Sequence, residues 1–434
     1  MTEQNTKEIN RAVLVGLSAH CLSAEENATE TTMEELEDLL ETAGGTCVGS
    51  VLQNKDTPDP RTFIGEGMVA EVRELVENSG ADMVIFDNAL SPSQQRVLSE
   101  ELKVAVMDRS ALILDIFAQR ARTREGRLQV ELAQYQYLLP RLTGMWGHLV
   151  RQTASGGKSP IGTRGPGETQ LETDRRHIRR KISKLKEELE EVRRVRGVQR
   201  ERRIKNEVPV VAIVGYTNAG KSTLLNKLTG ADIPANNRLF DTLDTTTRTL
   251  EISDTCTVLI SDTVGFISKL PHHLVEAFKA TLEELSYADL LLHVIDSSNP
   301  EWRDQAAVVE KLIVELGAAE TPRIDVFNKC DRYTGEIVPH GEDIVAISAK
   351  TGQGLDQLLE QIGKRLDTGA CRVVLHLPYD QGGLLDMLYR DAKVEQVEYG
   401  ETIEVTGILT PILLGRMKDY IVEGWKPPKE FWED

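Results

Sequence analysis

Residues 215–222 read Gly-Tyr-Thr-Asn-Ala-Gly-Lys-Ser and follow the apolar run Val-Val-Ala-Ile-Val at 210–214. A buried strand that feeds a turn ending in Gly-Lys-Ser is the pattern of a phosphate-binding P-loop. The two glycines let the turn bend so that backbone N–H groups face the phosphates, and the next helix adds the positive end of its dipole. The stretch predicts an α/β nucleotide-binding domain with its ligand at the carboxyl end of a central strand.

Three further motifs follow the P-loop in order. Asp262-Thr263-Val264-Gly265, Asn328-Lys329-Cys330-Asp331 and Ser348-Ala349-Lys350 each come after a predicted strand. A P-loop alone indicates some nucleoside triphosphate, whereas the ordered set indicates GTP or GDP, Mg²⁺ and a switch that senses the terminal phosphate. We therefore predict a Ras-like P-loop GTPase domain over residues 207–367.

The predicted nucleotide site divides by chemistry. Lys221 should reach the β and γ phosphates, and the backbone N–H near Gly265 should reach the γ-phosphate. The Ser222 hydroxyl should bind Mg²⁺, which Asp262 should hold through water. The predicted nucleotide contacts are Gly215, Tyr216, Thr217, Asn218, Ala219, Gly220, Lys221, Ser222, Thr223, Asp262, Thr263, Val264, Gly265, Asn328, Lys329, Asp331, Ser348, Ala349 and Lys350.

Guanine specificity is assigned to Asp331. Its carboxylate can accept two hydrogen bonds from the guanine ring N–H and amino group, and adenine has no matching pair of donors. Asn328 and the stem of Lys329 should brace the loop and cover the base. A backbone N–H of Ser348-Ala349 should meet the guanine carbonyl oxygen.

Switch I falls in the threonine-rich stretch 241–248. Any of its threonines could bind Mg²⁺ through a hydroxyl when GTP is bound, and we favour Thr246. The alternative for each hydroxyl is an ordinary solvated loop. With Lys221 and Gly265, Thr246 completes the predicted catalytic set, and with Ser222 and Asp262 it completes the predicted Mg²⁺ ligands.

Two residues depart from a Ras-like pattern. Phe266 stands where such an enzyme has the glutamine that orients water, so hydrolysis should be slow without a partner. Asn218 in the P-loop could help to bind K⁺, which can substitute for an arginine finger, or could only brace the loop.

Charge is distributed unevenly along the 434 residues. The whole chain carries −18, but residues 119–206 hold 22 Arg or Lys and 10 Asp or Glu, which makes this block +12. A basic block inside an acidic body indicates an anionic partner for the block. Five scattered cysteines argue against a disulfide framework or a zinc site, and the chain has neither a secretory signal nor an apolar run long enough to span a bilayer, so we expect a cytoplasmic protein.

Outside the GTPase domain, the sequence predicts three more units: an N-terminal subdomain, a helical hairpin and a C-terminal domain. Apolar runs at 12–15, 47–51, 83–86 and 104–107 alternate with helical patterns, which favours a small parallel α/β subdomain over residues 1–110. Residues 371–434 suggest a small α+β domain. The short stretch Gly65-Glu66-Gly67 could be a phosphate loop, but we interpret it as an ordinary turn.

Residues 111–206 predict an antiparallel helical hairpin. Two apolar seams repeat at spacings of four and three, and the segment 155–168 between them is too rich in glycine and proline to be helical. Pro140 should kink the first helix or end it early. The basic side chains suit RNA phosphates, although a solvated helix balanced by glutamates is the plainer alternative. The predicted RNA contacts are Lys158, Arg164, Arg175, Arg176, Arg179, Arg180 and Lys181.

Several stretches outside the GTPase motifs resemble the HflX family of ribosome-associated GTPases. They are 112–121, 131–134, 162–168 with Leu171 and Glu172, 242–244, 270–275 and 277–284, and Phe266 matches the family as well. The resemblance implies an N-terminal domain of two parts, binding to the large ribosomal subunit and its RNA, and GTP-dependent separation of stalled or idle ribosomes. It also implies a hairpin loop that reaches toward the peptidyl transferase centre.

Other functions stay open at this point. An RNA-modification or ribosome-assembly GTPase of the TrmE or Era type would share the central motifs, but a TrmE-like function predicts a further catalytic motif that the sequence does not show. A second nucleotidase in residues 1–110 is another alternative, although no P-loop is visible there. We expect a monomer whose partner is neither DNA nor an integral membrane.

Overall fold

The computed structural model describes residues 10–23, 26–145, 166–205, 208–231, 239–240, 246–253, 256–270, 283–332, 341–366 and 371–422. Three sheets organise these ranges. No helix within them has the length and apolar character to cross a membrane.

The first sheet has four parallel strands in the order β2-β1-β3-β4. Its strands are short apolar runs because helices cover both faces, as is usual for parallel sheets. They coincide with the four runs predicted for the first subdomain. The strands are β1 (Arg11–Ala19), β2 (Thr46–Lys55), β3 (Met83–Phe86) and β4 (Ala105–Asp108).

Four helices follow these strands in turn: α1 (Glu30–Ala43), α2 (Glu66–Ser79), α3 (Pro92–Leu102) and α4 (Arg109–Arg120). Thr29 and Thr32 form a reciprocal cap at the start of α1, which fixes where the chain leaves β1. Gly65, in the predicted turn, is the N-cap of α2. Helix α4 starts at the predicted boundary of the hairpin, and its Phe117 packs into the same core as the first sheet.

The basic block forms two long helices, α5 (Arg124–Met145) and α6 (Pro166–Lys205). Their contact is the predicted pair of seams, because leucines from both helices are buried together. Those leucines are Leu128, Leu132, Leu185 and Leu189, with Tyr135, Ile182 and Val192 packed beside them.

Two prolines bear on the predicted ends of the hairpin helices. Helix α5 continues through Pro140 to Met145, so the proline does not end it early. One proline costs about 3 kcal/mol in a helix, and the side chains on either side of it are held: Tyr137 and Arg141 both contact Asp108. Helix α6 begins at Pro166, so the last residues of the glycine-rich segment are helical. Proline suits the first turn, where its missing N–H would have no partner in the helix.

The GTPase sheet has the order β10-β9-β8-β5-β7-β6, and only β6 among its described strands is antiparallel to its neighbour. Strand β6 begins inside the stretch 241–248 that was predicted as switch I and extends beyond it to Glu251. The strands are β5 (Val210–Gly215), β6 (Thr246–Glu251), β7 (Thr257–Asp262), β8 (Leu290–Asp296), β9 (Arg323–Asn328) and β10 (Ile344–Ala346). The helices are α7 (Lys221–Thr229), α8 (Trp302–Glu315) and α9 (Leu355–Arg365).

The C-terminal unit is the predicted α+β arrangement. Its antiparallel sheet has the order β11-β13-β12, and a small core of its own lies under two helices. The elements are β11 (Cys371–Leu377), α10 (Gly382–Asp391), β12 (Lys393–Tyr399), β13 (Ile403–Leu409) and α11 (Pro411–Met417).

One apolar core is shared by the first subdomain and the GTPase domain. The rings of Phe117 and Phe240 meet edge to face with centroids 4.7 Å apart. Tyr216 of the P-loop and Phe266 of the segment 262–269, which we call switch II, are buried in the same cluster. Burial of aromatic surface on this scale makes the two units one packed body around the nucleotide site.

Candidate nucleotide site

The P-loop takes a path that only glycine can follow at two positions. Gly215 has φ +157, and a Cβ there would lie 2.3 Å from the carbonyl oxygen of Val294. Gly220 has φ +96, and a Cβ there would lie 2.2 Å from Nδ2 of Asn328. The loop is therefore pressed against β8 and the Asn328 motif, which aligns it at the carboxyl end of β5.

Lys221 lies at the start of α7 with its ammonium drawn back over the loop. Its Nζ donates to the carbonyl oxygens of Gly215 (3.0 Å) and Tyr216 (2.7 Å). Burial lowers the pKa of Lys221 to about 8, and the charge of Asp262 opposes that shift only in part. A buried ammonium with neutral oxygen partners is a site for anionic oxygens, because phosphate would supply the missing counter-charge.

Ser222 and Asp262 supply oxygen ligands of the kind that Mg²⁺ prefers. The Ser222 hydroxyl donates to Oδ2 of Asp262 at 2.8 Å, and the Asp262 side chain is fully buried at the end of β7. A hydroxyl and a carboxylate this close fit one hard cation beside the phosphates. Thr246, the third predicted ligand, is the strand partner of Asp262 across β6 and β7, so it lies at the same edge.

Switch II lies directly against the P-loop. The N–H of Phe266 donates to the Gly215 carbonyl (3.1 Å), and the Phe266 carbonyl accepts from the N–H of Thr217 (2.7 Å). A Cβ added to Gly265 would lie 3.0 Å from Nζ of Lys221, so this glycine closes on the predicted phosphate position. The Phe266 ring is 1% exposed, which keeps it away from any attacking water.

The predicted base-binding loops are braced against the P-loop. Asn328 donates from Nδ2 to the Ala219 carbonyl (2.8 Å), and Lys329 pairs with Asp296 (2.7 Å). A hydrogen bond from Ser348 lowers the pKa of Asp331, so the carboxylate is ionised and able to accept from a base. The hydrogen bond of Asn328 ties the start of this motif to the P-loop.

The amides predicted for the guanine carbonyl have other partners in this structure. The Ser348 N–H donates to the Gln353 carbonyl (3.0 Å), and the Ala349 N–H donates to Oδ1 of Asn328 (2.9 Å). A base carbonyl would have to share the Ala349 N–H with Asn328. Lys350, the last predicted contact, is exposed at the rim.

Asn218 is exposed at the outer side of the P-loop with φ +58. Asparagine tolerates this left-handed backbone better than most residues do, which gives it a structural reason to be here. Thr223 is half-buried in the first turn of α7, while Thr263 donates to the Ile213 carbonyl (2.7 Å) and ties β7 to β5. Val264 is buried beside them.

The predicted RNA contacts lie along α6. Arg176, Arg179, Arg180 and Lys181 are exposed and Arg175 is half-buried. Lys181 also donates to the Tyr135 hydroxyl (2.6 Å), so it stabilises the hairpin as well. Lys158 and Arg164 lie outside the described residues.

Residues of the first subdomain that were not predicted from the sequence also contact the site. Glu35 accepts hydrogen bonds from Tyr216 of the P-loop and Ser268 of switch II, and Lys269 pairs with Asp87. One signal was available: Asp87 directly follows a buried strand, where parallel sheets place functional side chains. Glu35 looks like any other glutamate of an acidic helix.

Comparison with protein families matches four consecutive segments. They are described as GTP-binding GTPase N-terminal (residues 30–118), GTP-binding GTPase middle region (120–203), 50S ribosome-binding GTPase (210–329) and HflX C-terminal domain (336–409). The segments span most of the chain.

Individual relatives match the chain over most of its length. GTPase HflX of Caldanaerobacter subterraneus is 48% identical over 97% of this chain and 96% of its own length. GTPase HflX of Escherichia coli is 44% identical, covering 84% of this chain and 86% of the relative. Among solved structures, a GTP-binding protein from Sulfolobus solfataricus in complex with GDP is 24% identical over 83% of this chain and 99% of that chain, with a TM-score of 0.44.

Proposed function

The chain belongs to the HflX family of GTPases, and we propose that it uses GTP to bind the large ribosomal subunit and separate stalled or idle ribosomes. Its GTPase activity follows from the family and the central domain. The ribosomal role rests most on the α5/α6 hairpin, whose exposed cations are carried on a long, rigid arm.

The chain's own residues divide the work at the nucleotide. Lys221 and the P-loop amides hold the phosphates, Asp331 selects guanine, and Gly265 senses the γ-phosphate. Ser222, Asp262 and Thr246 would hold Mg²⁺, which supplies charge for the developing phosphate anions. Because Phe266 is buried and apolar, water has to be ordered by something else, and we assign that role to the ribosome.

Within this proposal the chain acts as a monomer in which nucleotide exchange times the engagement of ribosomal RNA. Bound GTP orders the switches and favours the ribosome-binding form, and hydrolysis then releases the protein. If binding of GTP is sufficient to separate the subunits, an analogue that cannot be hydrolysed should separate them too. If hydrolysis drives the separation, the analogue should instead trap intact ribosomes.

The test is sedimentation of purified ribosomes with the protein and GTP, GDP or a nonhydrolysable analogue. We expect association with the large subunit in the GTP and analogue samples and little in GDP. A variant that lacks residues 155–167 should lose separation. No nucleotide-dependent association with the large subunit would exclude the proposal, and binding only to precursor particles would favour an assembly GTPase.

A charge-matched pair of variants isolates the hairpin. Replacing Arg176, Arg179 and Arg180 by Gln should weaken binding and reduce its salt dependence, because each cation releases about one counterion per phosphate. The control replaces three exposed cations elsewhere, Arg61, Arg303 and Lys364, by Gln. Equal losses in both variants would mean that net charge, not the hairpin, controls binding.

A further inference from the structure

Glu35 of α1 touches the P-loop and switch II at the same time. The Tyr216 hydroxyl donates to its Oε1 (2.5 Å), and the Ser268 hydroxyl donates to its Oε2 (2.7 Å). The Ser268 N–H in turn donates to the Tyr216 oxygen (2.7 Å). The carboxylate of Glu35, from the first subdomain, thus completes a closed ring of hydrogen bonds with Tyr216 of the P-loop and Ser268 of switch II.

A second contact lies beside this ring. Lys269 pairs with Asp87, which also accepts from Arg109 (2.8 Å), and Arg109 pairs with Glu35. The side chains of Asp87, Arg109 and Lys269 are 0%, 2% and 9% exposed. Although burial alone would lower it, the carboxylates of Glu35 and Asp87 hold the pKa of Arg109 above its ordinary value.

The charges of this cluster balance only when switch II is docked. Glu35 and Asp87 carry two negative charges and Arg109 one positive charge, so these three side chains of the first subdomain together carry a net charge of −1. Lys269 brings the sum to zero. Without Lys269, Glu35 and Asp87 would share the single positive charge of Arg109. One negative charge of the cluster would then lack a counter-charge, which favours the docked position of switch II.

The docked position matters for the nucleotide because Ser268 lies only three residues after Gly265. Between them, Phe266 makes two backbone hydrogen bonds to the P-loop, with Gly215 and Thr217. This ladder holds Gly265 beside Lys221. The backbone of switch II and the P-loop ammonium are thereby both within reach of one terminal phosphate.

We propose that Glu35 and Asp87 are positioning residues for GTP: they hold switch II so that Gly265 and Lys221 face the γ-phosphate together. They touch neither the nucleotide nor water, and act through Tyr216, Ser268 and Lys269. GDP has no γ-phosphate, so it gains nothing from this arrangement. The preference for GTP over GDP therefore depends on the first subdomain.

The experiment measures the affinity of the full-length protein for a fluorescent nonhydrolysable GTP analogue and for the matching GDP, without ribosomes. The variants are Glu35→Gln and Ser268→Ala, and the control is Glu34→Gln, the exposed neighbour of Glu35 on the same helix. We expect both variants to lose about tenfold in affinity for the analogue, the size of one charge-assisted hydrogen bond. Affinity for GDP should change less than about twofold on the same scale.

A double variant tests whether the two residues act together. Glu35→Gln combined with Ser268→Ala should bind the analogue no more weakly than either single variant, because each breaks the same link. Lys269→Gln should reproduce the selective loss through the neighbouring contact. In steady-state hydrolysis the same variants should raise KM for GTP more than they lower kcat.

Two results would overturn the proposal. An equal loss of affinity for both nucleotides would show a merely structural role, and unchanged or tighter binding of the analogue would show that the contact does not favour GTP. Thermal unfolding of each variant confirms that the chain is folded. Because no ribosome is present, failure here leaves the ribosomal proposal untouched.

Discussion

The first sheet and the GTPase sheet carry different residues at the points where their strand order reverses. Both reverse their strand order at one point, between β1 and β3 in the first sheet and beside β5 in the GTPase sheet, and such points usually bind ligands. At β5 the chain supplies glycines, backbone N–H groups and a lysine. At β1 and β3 it supplies Asn88, which bonds to both the N–H (2.8 Å) and the carbonyl (3.0 Å) of Leu17, and Asp87, which receives Lys269.

The difference shows how side chains decide what a shared architecture does. An acidic crevice already filled by a lysine repels phosphate and accepts a protein segment, whereas a glycine-lined loop with a buried ammonium does the reverse. The first sheet has thus become a docking surface for the switch of the second. Four predictions test that contrast.

The largest effect is expected from removing the charge of Arg109, which pairs with Glu35 and Asp87 in the crevice of the first sheet. Arg109→Met leaves two buried carboxylates without their shared partner, which should lower the free energy of unfolding by about 3–5 kcal/mol. Arg61→Met removes an exposed ion pair with Glu101 and should cost only about 0–1 kcal/mol. Urea denaturation followed by circular dichroism compares them, and similar losses would mean that the crevice contributes no more than a surface pair.

The P-loop site at β5 should be the one place in the chain where nucleoside triphosphates bind. Lys221→Ala should reduce GTP affinity by roughly 100-fold or more, since it removes a buried charged donor to phosphate. Lys227→Ala, on the exposed side of the same helix, is the control. ATP hydrolysis that survives Lys221→Ala would point to a second nucleotide site in residues 1–110 and would break the contrast.

Two aspartates, one at each sheet, should differ in what they recognise. Asp331→Asn should lower GDP affinity by about tenfold or more and improve binding of xanthosine diphosphate, whose base carbonyl can accept from the new amide. Asp87→Asn should leave the choice between these two diphosphates unchanged. Competition titrations measure both, and a shift of base preference in the Asp87 variant would contradict the division of roles.

The smallest effect concerns the potassium ion. Asn218→Gly removes the side chain while accommodating the φ of +58, so a change in rate reports the side chain and not backbone strain. We expect hydrolysis by the parent chain, with ribosomes present, to be severalfold faster in K⁺ than in Na⁺, and the variant to lose this difference. Equal rates in the two salts for the parent would leave Asn218 as a loop brace.

Much of the fold was predictable because its signals are local. The strand runs of the first sheet, the two hairpin seams and the P-loop motifs each depend on residues a few positions apart, and all were located from the sequence. Local rules left some outcomes open where tertiary contacts decide. Pro140 was expected to kink α5 or end it early; the helix continues, and the contacts of Tyr137 and Arg141 with Asp108 hold it on both sides of the proline.

The contact between the first subdomain and the GTPase domain was not predictable, because the residues that form it lie far apart in sequence. Glu35 and Tyr216 are 181 positions apart, and neither stands in a pattern that distinguishes it from its neighbours. In the sequence, Lys269 of switch II looks like any exposed lysine. Only the packing of α1 against the P-loop shows that these side chains meet, and a single sequence carries no record of that pairing.

Helix α6 has a mechanical consequence. Its 40 residues make a rod about 60 Å long, at 1.5 Å per residue. Four positions separate its last residue from the first strand of the GTPase sheet. A tilt of about 5° at that end would displace the far end by about 5 Å over a rod of this length. The hairpin can therefore act as a lever. A small rearrangement around a phosphate would move the far end of α6 by a distance comparable to the size of a nucleotide base.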